Sequence, residues 1–445
     1  MRPEGGPLMP EVYQEPDRPT TEPVGHRRWL VILCSFVVTS VSYLDRNNMS
    51  VAASSLQREF HVTDVQLGAL FSAFVLGYAL MQPAAGRLAD RIGAARAIAI
   101  AILWWSAFTA LLTAVPAGLR GALTLLIGVR FLLGIGEAII FPASSRLVAS
   151  WIPAGERGLA TGIIFAGVGV GGSVAPPLIT FVMLNHSWRA AFWLCAVIGL
   201  GAAVLWIWVV RDTPRQSNQV SAAELAYISA GLPTRSGEGQ RPVRWRTILL
   251  DRQVALLTLS YSCYGYVAYI FFSWFFKYLS DVRGLNLRSS AFYATLPFIA
   301  MAIASSSGGL LSDRLLGLVG KRAARCGVAS ASLVLAGIFV WSATQVSDTR
   351  VAALVLAGGA GALYFSQSAY WAISADIGGT SSGSVSGVMN MGCQLGGVVT
   401  AALTPVIATN FGWTASFATA AAVCVLGAAA WLFIDPFHAL VPGTA

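Results

Sequence analysis

Four ionisable residues lie inside long hydrophobic stretches of the sequence. Asp45 and Arg46 are in one stretch, and Arg130 and Glu137 are in another. A charged side chain at the centre of a membrane helix costs about 2.5–3.5 kcal/mol on insertion scales. The four together would cost roughly 10–14 kcal/mol before pairing, as much as the whole stability of a domain. We therefore expect them to face a water-filled cavity and one another.

The spacing of these four residues limits how they can meet. Arg130 and Glu137 are seven residues apart, so on a helix they share one face about two turns apart. Asp45 and Arg46 are adjacent and point about 100° apart. One of them can therefore meet the helix of Glu137 while the other faces a central cavity.

The charge count of this group suggests coupled binding of an anion and a proton. Two arginines and two carboxylates sum to zero, so one added carboxylate solute makes the site net negative, which a low-dielectric cavity disfavours. Protonation of Asp45 or Glu137 restores neutrality. We assign Arg46 to the solute carboxylate, since a guanidinium binds carboxylate bidentately, and we assign Arg130 to tuning the two acids. A purely structural network of buried ion pairs is the alternative.

The composition predicts an all-α polytopic membrane protein. Hydrophobic residues make up 56% of the 445 residues and charged residues 11%, against about 25% charged in soluble domains. Stretches of about 20 apolar residues, enough to cross a bilayer, recur along the chain. We predict twelve spans, at 29–50, 66–85, 97–117, 121–141, 158–184, 190–210, 253–276, 290–311, 326–344, 351–374, 383–408 and 413–434.

Basic residues alternate from loop to loop, which argues for a membrane orientation rather than for nucleic-acid binding. Twenty Lys and Arg fall on the side of the N-terminal tail and seven on the other. The positive-inside rule then places both termini in the cytoplasm. The excess of Arg over Lys is typical of a GC-rich bacterial genome, so the membrane would be a bacterial inner membrane. The six cysteines and four histidines have no metal-ligand spacing, so we expect structural thiols and no metal or cofactor.

The chain contains an internal repeat. Gly86, Asp90 and Arg91 lie between predicted spans 2 and 3, and Asp313 and Arg314 lie between spans 8 and 9, half the chain away. Such duplication is typical of secondary transporters. We predict a disordered cytoplasmic tail (1–27), a six-helix bundle (28–211), a cytoplasmic linker (212–250), a second six-helix bundle (251–436) and a C-terminal tail (437–445). The two Asp-Arg pairs would form a cytoplasmic ion-pair latch, or serve only as positive-inside charge.

The segment Gly86–Gly93, together with Arg96, resembles the signature loop of the major facilitator superfamily. Finer motifs are similar to its anion:cation symporter family, namely YLDR at 43–46, RFLLGIGEA at 130–138, ERG at 156–158 and WFFKYL at 274–279. The resemblance covers about residues 27–435. It implies the major facilitator fold and transport of organic anions such as sugar acids, coupled to protons.

The resemblance also implies site residues. It matches Asp45, Arg46, Arg130 and Glu137 to the family's charged pairs, and it places solute contacts at Tyr78, Ser368, Trp371 and Asn390. Tyr364, Gln367, Ser368 and Trp371 fall on one helix face by their spacing. For Trp371, an aromatic anchor at the membrane interface is the alternative reading.

One departure from the family concerns span 5. Sugar-acid carriers have amide side chains on this cavity face, whereas this chain has Phe165-Ala166-Gly167-Val168-Gly169. We therefore expect a less hydroxylated carboxylate, aromatic or aliphatic. The predicted protein is a monomer that contacts membrane lipid, protons and a small organic anion. Rival interpretations are a proton-coupled exporter of drugs or metabolites with the same fold, a non-transporting receptor and, remotely, a membrane enzyme.

Overall fold

The computed structural model describes residues 25–153, 156–231, 243–378 and 381–440. Within these ranges, twelve helical segments are long and apolar enough to cross a membrane, as the sequence predicts. The same ranges contain no strand, so the fold is all-α and polytopic. Residues 1–24, 441–445 and 232–242, which belong to the predicted tails and linker, lie outside the described residues.

Seven helices form the first six spans, because span 4 is built from two. They are α1 (Arg27–Phe60), α2 (Asp64–Ile92), α3 (Ala94–Thr113), α4 (Ala122–Glu137), α5 (Ile140–Trp151), α6 (Arg157–Asn185) and α7 (Trp188–Val209).

Two short helices precede the second half of the chain, and eight more helices form it. They are α8 (Ala222–Gly231), α9 (Trp245–Leu250), α10 (Arg252–Ser273), α11 (Phe275–Lys277), α12 (Leu287–Arg322), α13 (Val328–Ser342), α14 (Thr349–Phe365), α15 (Gln367–Gly378), α16 (Ser382–Phe411) and α17 (Trp413–Leu432).

The helices of the two halves pair in the same pattern. In the first half α1 packs on α6, α2 on α4 and α3 on α7; in the second, α10 packs on α16, α12 on α14 and α13 on α17. The two main contacts between the halves are α2 with α16 and α6 with α12. They are equivalent, because the correspondence between the halves converts one contact into the other. The packing therefore shows the duplication that the sequence predicts from its Asp-Arg repeat.

Spans 4 and 10, which are equivalent in this pattern, are both interrupted. Helix α4 ends at Glu137 and α5 resumes at Ile140, while α14 ends at Phe365 and α15 resumes at Gln367. Ala138, Ile139 and Ser366 keep right-handed helical dihedral angles, so each interruption is a local distortion within one continuous span. Each half thus has a distorted helix at the level of the predicted site.

The two repeat motifs are helical, and the prediction that they form loops is wrong. Residues 86–92 form the last two turns of α2, which ends only at Gly93 with a φ of 91°. Asp313 and Arg314 lie inside α12. Because polar residues can continue a helix beyond the hydrocarbon region, the loss of hydrophobicity marked the membrane boundary and not the helix end.

Helix α8 of the linker is attached to the start of α1. Both carboxylate oxygens of Glu224 accept hydrogen bonds from the first α1 amides, Arg27 at 3.2 Å and Arg28 at 3.0 Å. The Arg28 guanidinium reaches Glu156 at 2.9 Å and holds the pKa of that carboxyl below its usual range. The linker is thereby held against the first half.

The polar contacts between the halves lie toward one end of the molecule. We call the face where α1 begins and α17 ends the terminal face, and the other end the opposite face. The hydrogen bonds between described residues of the two halves all lie nearer the opposite face; they join Ser50 to Ser273, Ser54 to Asp281, Ser72 to Val398 and Thr295 to Ser173. The Lys277–Asp64 ion pair (3.3 Å) lies at the same end. The protein is thus closed at the opposite face.

Candidate functional site

Arg46 of α1 and Glu137 of α4 form a buried ion pair. Nη2 of Arg46 lies 2.9 Å from Oε2 of Glu137, and the same oxygen accepts a hydrogen bond from Oγ of Ser42 at 2.9 Å. Glu137 is fully buried and Arg46 is 7% exposed. Span 4 stays right-handed helical at Ala138 and Ile139, so the free-energy cost at Glu137 is the burial of its carboxylate. Arg46 and Ser42 offset that cost.

Aromatic rings surround the Arg46 guanidinium. Its central carbon lies 4.5 Å from the ring centre of Tyr43, 4.8 Å from that of Tyr78 and 5.0 Å from that of Phe74. Each such contact can contribute about 0.5–2 kcal/mol, with the larger values in dry surroundings. Tyr78, which the resemblance places in the solute site, is buried against the cation. The three rings surround the guanidinium and leave Arg46 only 7% exposed.

Asp45 faces a different helix from its neighbour Arg46. Its Oδ2 accepts a hydrogen bond of 2.7 Å from Oγ1 of Thr109 on α3, and the side chain is buried. The two neighbours diverge, and Arg46 meets α4 as expected. Asp45 points toward α3 inside the first bundle, and the prediction that it faces a central cavity is wrong.

Arg130 is buried without an ion pair among the described residues. Its guanidinium packs over the ring of Phe74 at 4.6 Å, and its Nε has no hydrogen-bond partner. Phe74 thus lies between the two arginines, since Arg46 packs on the same ring. Both acids lie within electrostatic range of Arg130. That placement is compatible with the tuning role predicted for Arg130.

The site retains unused hydrogen-bonding capacity. Oε1 of Glu137 and Nε of Arg46 are buried and have no partner among the described residues. Buried polar atoms are satisfied in the great majority of cases, so such orphans need an explanation. An acid oxygen that can take a proton and a guanidinium edge that can bind a carboxylate are the two capacities that coupled binding requires.

The second half contributes neutral polar groups at the interruption of span 10. Gln367 begins α15 and accepts a hydrogen bond from the hydroxyl of Tyr264 through Oε1. The rings of Tyr264 and Tyr364 lie 5.4 Å apart. Tyr364 therefore takes part in an aromatic cluster of the second half, next to this interruption.

Ser368 and Trp371 of α15 have unpartnered polar atoms. Oγ of Ser368 and Nε1 of Trp371 are buried and make no hydrogen bond in the described structure. The Trp371 ring lies 5.9 Å from that of Phe165 on α6, which in turn stacks on Phe141 at 4.9 Å. Trp371, in the second half, thus contacts the first half and is not an anchor that faces lipid.

Asn390 of α16 is half-buried and makes no hydrogen bond within the described residues. One turn further along, Oε1 of Gln394 accepts a hydrogen bond from the Tyr269 hydroxyl at 2.6 Å. The structure therefore satisfies one of the two span-11 amides and leaves the other available.

The predicted latch is described only in part. Arg91 and Arg314 are exposed. The side chains of Gly86, Asp90 and Asp313 lie outside the described residues. The ion-pair latch at the terminal face stays a prediction.

Several contacts of the site were not predicted from sequence. Ser42 and Tyr43 lie four and three residues before Arg46, and Phe74 lies four before Tyr78, so helix spacing from a predicted site residue could have found them. Thr109 is one of three hydroxyl residues in the apolar helix α3, and its spacing gives no such signal. The six cysteines are free and buried, as predicted. Among described residues, no group of three or more His, Cys, Asp or Glu could hold a metal ion.

Comparison with known proteins places this arrangement in context. The family profile of the Major Facilitator Superfamily matches residues 35–401. The chain is 32% identical to a Cupriavidus necator protein named "Probable sulfoacetate transporter SauU" over 89% of the chain and 91% of that protein. It is 29% identical to the hexuronate transporter of Bacillus subtilis, over 93% of the chain and 96% of that protein.

A solved structure shares the fold. It is a bacterial homologue of the human lysosomal transporter Spinster, in an inward-facing and unoccupied conformation. The TM-score is 0.72 at 19% identity, over 92% of this chain and 97% of that one.

Proposed function

Because this chain belongs to the Major Facilitator Superfamily and is a membrane transporter, we propose that it carries a small organic anion by proton-coupled symport with alternating access. In the proposed division, residues 28–211 and 251–436 form the two rocking bundles, and 212–250 link them. The protein would act as a monomer in a bacterial inner membrane, with both termini in the cytoplasm. The relatives with anion-transporter names support the solute class.

The observation that carries the proposal is the Arg46–Glu137 pair with its two unpartnered atoms. Nη2 of Arg46 binds Glu137, while the Nε edge of the same guanidinium makes no hydrogen bond among described residues. A solute carboxylate that binds Arg46 competes with Glu137 for the cation. Glu137 would then be a buried carboxylate with weakened compensation, which proton uptake relieves. Anion binding and proton binding are thereby linked through one guanidinium.

The remaining residues take supporting roles in this proposal. Asp45 would be a second proton carrier, held by Thr109, and Arg130 would balance the charge of both acids. Ser368, Trp371 and Asn390 would contact the neutral part of the solute. In this proposal the closed opposite face corresponds to the inward-facing state.

The aromatic surface between the halves favours a solute with few hydroxyl groups. Phe165 stacks on Phe141 and faces Trp371, so this part of the site offers rings in place of amides. A ring surface can cover the carbon atoms of an anion but cannot satisfy many hydroxyls. This chemistry favours an organic anion with few hydroxyl groups over a sugar acid.

Uptake into proteoliposomes tests the proposal. Purified protein would be reconstituted with an inward proton gradient and assayed with sulfoacetate, glucuronate and galactonate. We expect gradient-driven accumulation of at least one of these anions and alkalinisation of the medium. Glu137→Gln keeps the shape of the side chain but cannot carry a proton, so it should retain solute exchange and lose accumulation. Asp376→Asn, an exposed acid of α15, is the matched control and should accumulate normally.

Two outcomes would contradict the proposal. Accumulation by Glu137→Gln at the wild-type level would remove this residue from proton coupling. Accumulation driven only by an outward proton gradient would identify an exporter of the same fold.

A further inference from the structure

A crevice of about 510 Å³ lies where α6 and α12 meet near the opposite face. Its α6 wall includes Thr180, Phe181 and Leu184, and its α12 wall includes Arg288 and Phe292. It lies far from the Arg46–Glu137 pair, which is formed by α1 and α4. Since α6 and α12 belong to different halves, the crevice spans the seam between them.

The walls of the crevice face the lipid. Phe181 is 67% exposed and Phe292 62% exposed, although both lie in membrane spans. Apolar side chains this exposed in a span contact hydrocarbon. The crevice is therefore open to the acyl chains of the bilayer and not to the solute path.

The crevice has a basic rim at the depth of the lipid headgroups. Arg288 lies in the first turn of α12, is exposed and makes no ion pair in the described structure. The lining of α6 runs from Pro177 to Asn185, the last residue of that helix. At 1.5 Å per residue this is about 12 Å, roughly a third of the hydrocarbon thickness. A phosphate at Arg288 would thus place its acyl chain along the crevice.

A buried polar group also points to a ligand. Thr180 lines the crevice, is 3% exposed, and its Oγ1 has no hydrogen-bond partner in the described part of the chain. A hydroxyl left unpaired in a membrane span costs free energy. A phospholipid ester carbonyl is an acceptor that could enter the crevice beside an acyl chain and pair with this hydroxyl.

We propose that this crevice binds an anionic phospholipid, with the headgroup phosphate on Arg288, an ester carbonyl on Thr180 and an acyl chain between Phe181 and Phe292. A lipid held by both halves binds best when the seam is closed at this end. It would therefore favour the state closed at the opposite face, since a ligand shifts the population toward the conformation that it binds more tightly.

Native mass spectrometry of the full-length protein in detergent tests the site. The probes are phosphatidylglycerol, phosphatidylcholine with the same acyl chains, and inorganic phosphate. We expect one phosphatidylglycerol to bind more tightly than any further copies, and phosphatidylcholine to bind more weakly. Inorganic phosphate should not change the thermal midpoint of unfolding. Arg288→Gln should weaken the binding of phosphatidylglycerol about fivefold, which is the usual effect of one basic residue near an anionic headgroup. Leu184→Trp, which fills the crevice from an exposed position, should abolish the tighter binding.

Arg350→Gln is the matched control. Arg350 is exposed, lies in the first turn of α14 on the same face, and does not line the crevice. An equal loss of phosphatidylglycerol binding in Arg288→Gln and Arg350→Gln would show general charge attraction and overturn the proposal. Unchanged binding in Leu184→Trp, or a midpoint raised equally by inorganic phosphate alone, would also overturn it. Because both altered side chains are exposed, loss of folding should not obscure these results.

Discussion

Replacing Arg46 by Lys separates the two tasks that we propose for one side chain. The guanidinium uses Nη2 for Glu137 and leaves Nε without a partner among the described residues, while three rings surround it. A lysine ammonium is a compact point charge that can bind Glu137 but cannot present a second, coplanar edge. We expect Arg46→Lys to fold and to keep Glu137 paired, yet to bind the solute poorly.

The magnitude follows from the contacts that each variant loses. Hydrogen bonds to charged groups contribute about 1.5–3 kcal/mol. Losing the guanidinium–carboxylate bond should therefore weaken solute binding about 10- to 150-fold. Arg46→Ala instead leaves Glu137 buried without its cation. Breaking a buried pair in this way costs about 3–5 kcal/mol of stability. The two variants should therefore differ in thermal midpoint more than in transport.

The assay combines calorimetric binding of sulfoacetate, or of whichever of the three test anions is transported, with thermal unfolding of each variant. Arg130→Lys is the matched control, because Arg130 has no ion pair among described residues. It should reduce affinity less than Arg46→Lys does. Wild-type affinity in a folded Arg46→Lys protein would refute the assignment of Arg46 to the solute.

Three further predictions concern the opposite face and the first bundle. Lys277→Gln removes the Lys277–Asp64 pair. Because the Asp64 side chain is 37% exposed, we expect the closed state to lose only about 1 kcal/mol relative to the open state. Spin-label distances across the opposite face should then show a roughly fivefold smaller closed-to-open ratio. Burial alone would raise the pKa of Asp281, but hydrogen bonds from Lys277 and nearby hydroxyls hold it below its usual value. The contribution of the Asp281 carboxylate is thus present above about pH 4 and lost as pH falls further, so the part of the Lys277→Gln effect that acts through Asp281 should stay constant between about pH 5 and 8. Thr109→Val removes the hydroxyl that binds Asp45 and should lower unfolding free energy by about 1.5–3 kcal/mol in thermal denaturation.

Each of these predictions has its own control or contrary outcome. An unchanged distance distribution in Lys277→Gln would show that the pair does not hold the closed state. A Lys277→Gln effect that vanished already at pH 6 would assign it to another titrating group. Thr113→Val serves as the control for Thr109, since its hydroxyl bonds only a backbone carbonyl of its own helix. Equal destabilisation by the two valine variants would argue against a special role for the Asp45 contact.

The sequence by itself determined the class of protein and the identity of its buried charges. Twelve spans follow from runs of apolar residues, because the hydrocarbon thickness fixes the length of a crossing helix. The four intramembrane charges follow from the same reasoning, since each is too costly to lack a role. The duplication follows from the two Asp-Arg motifs, and the paired helix contacts of the two halves agree with it.

Only the tertiary structure decided which charged residue meets which partner. Helical spacing fixes the angle between Asp45 and Arg46 around their own axis, but not the direction of either toward α3 or α4. The Arg46–Glu137 bond joins residues 91 positions apart, and the Thr109–Asp45 bond joins residues 64 apart. Their geometry depends on how whole helices pack, which local periodicity does not encode.

The closed opposite face was also decided by packing. Lys277 lies just beyond predicted span 7, and its role in joining the halves appears only when Asp64 lies 3.3 Å away. Composition and spacing therefore determined the membrane fold and the buried charges, whereas the packing of distant helices determined how those charges are arranged.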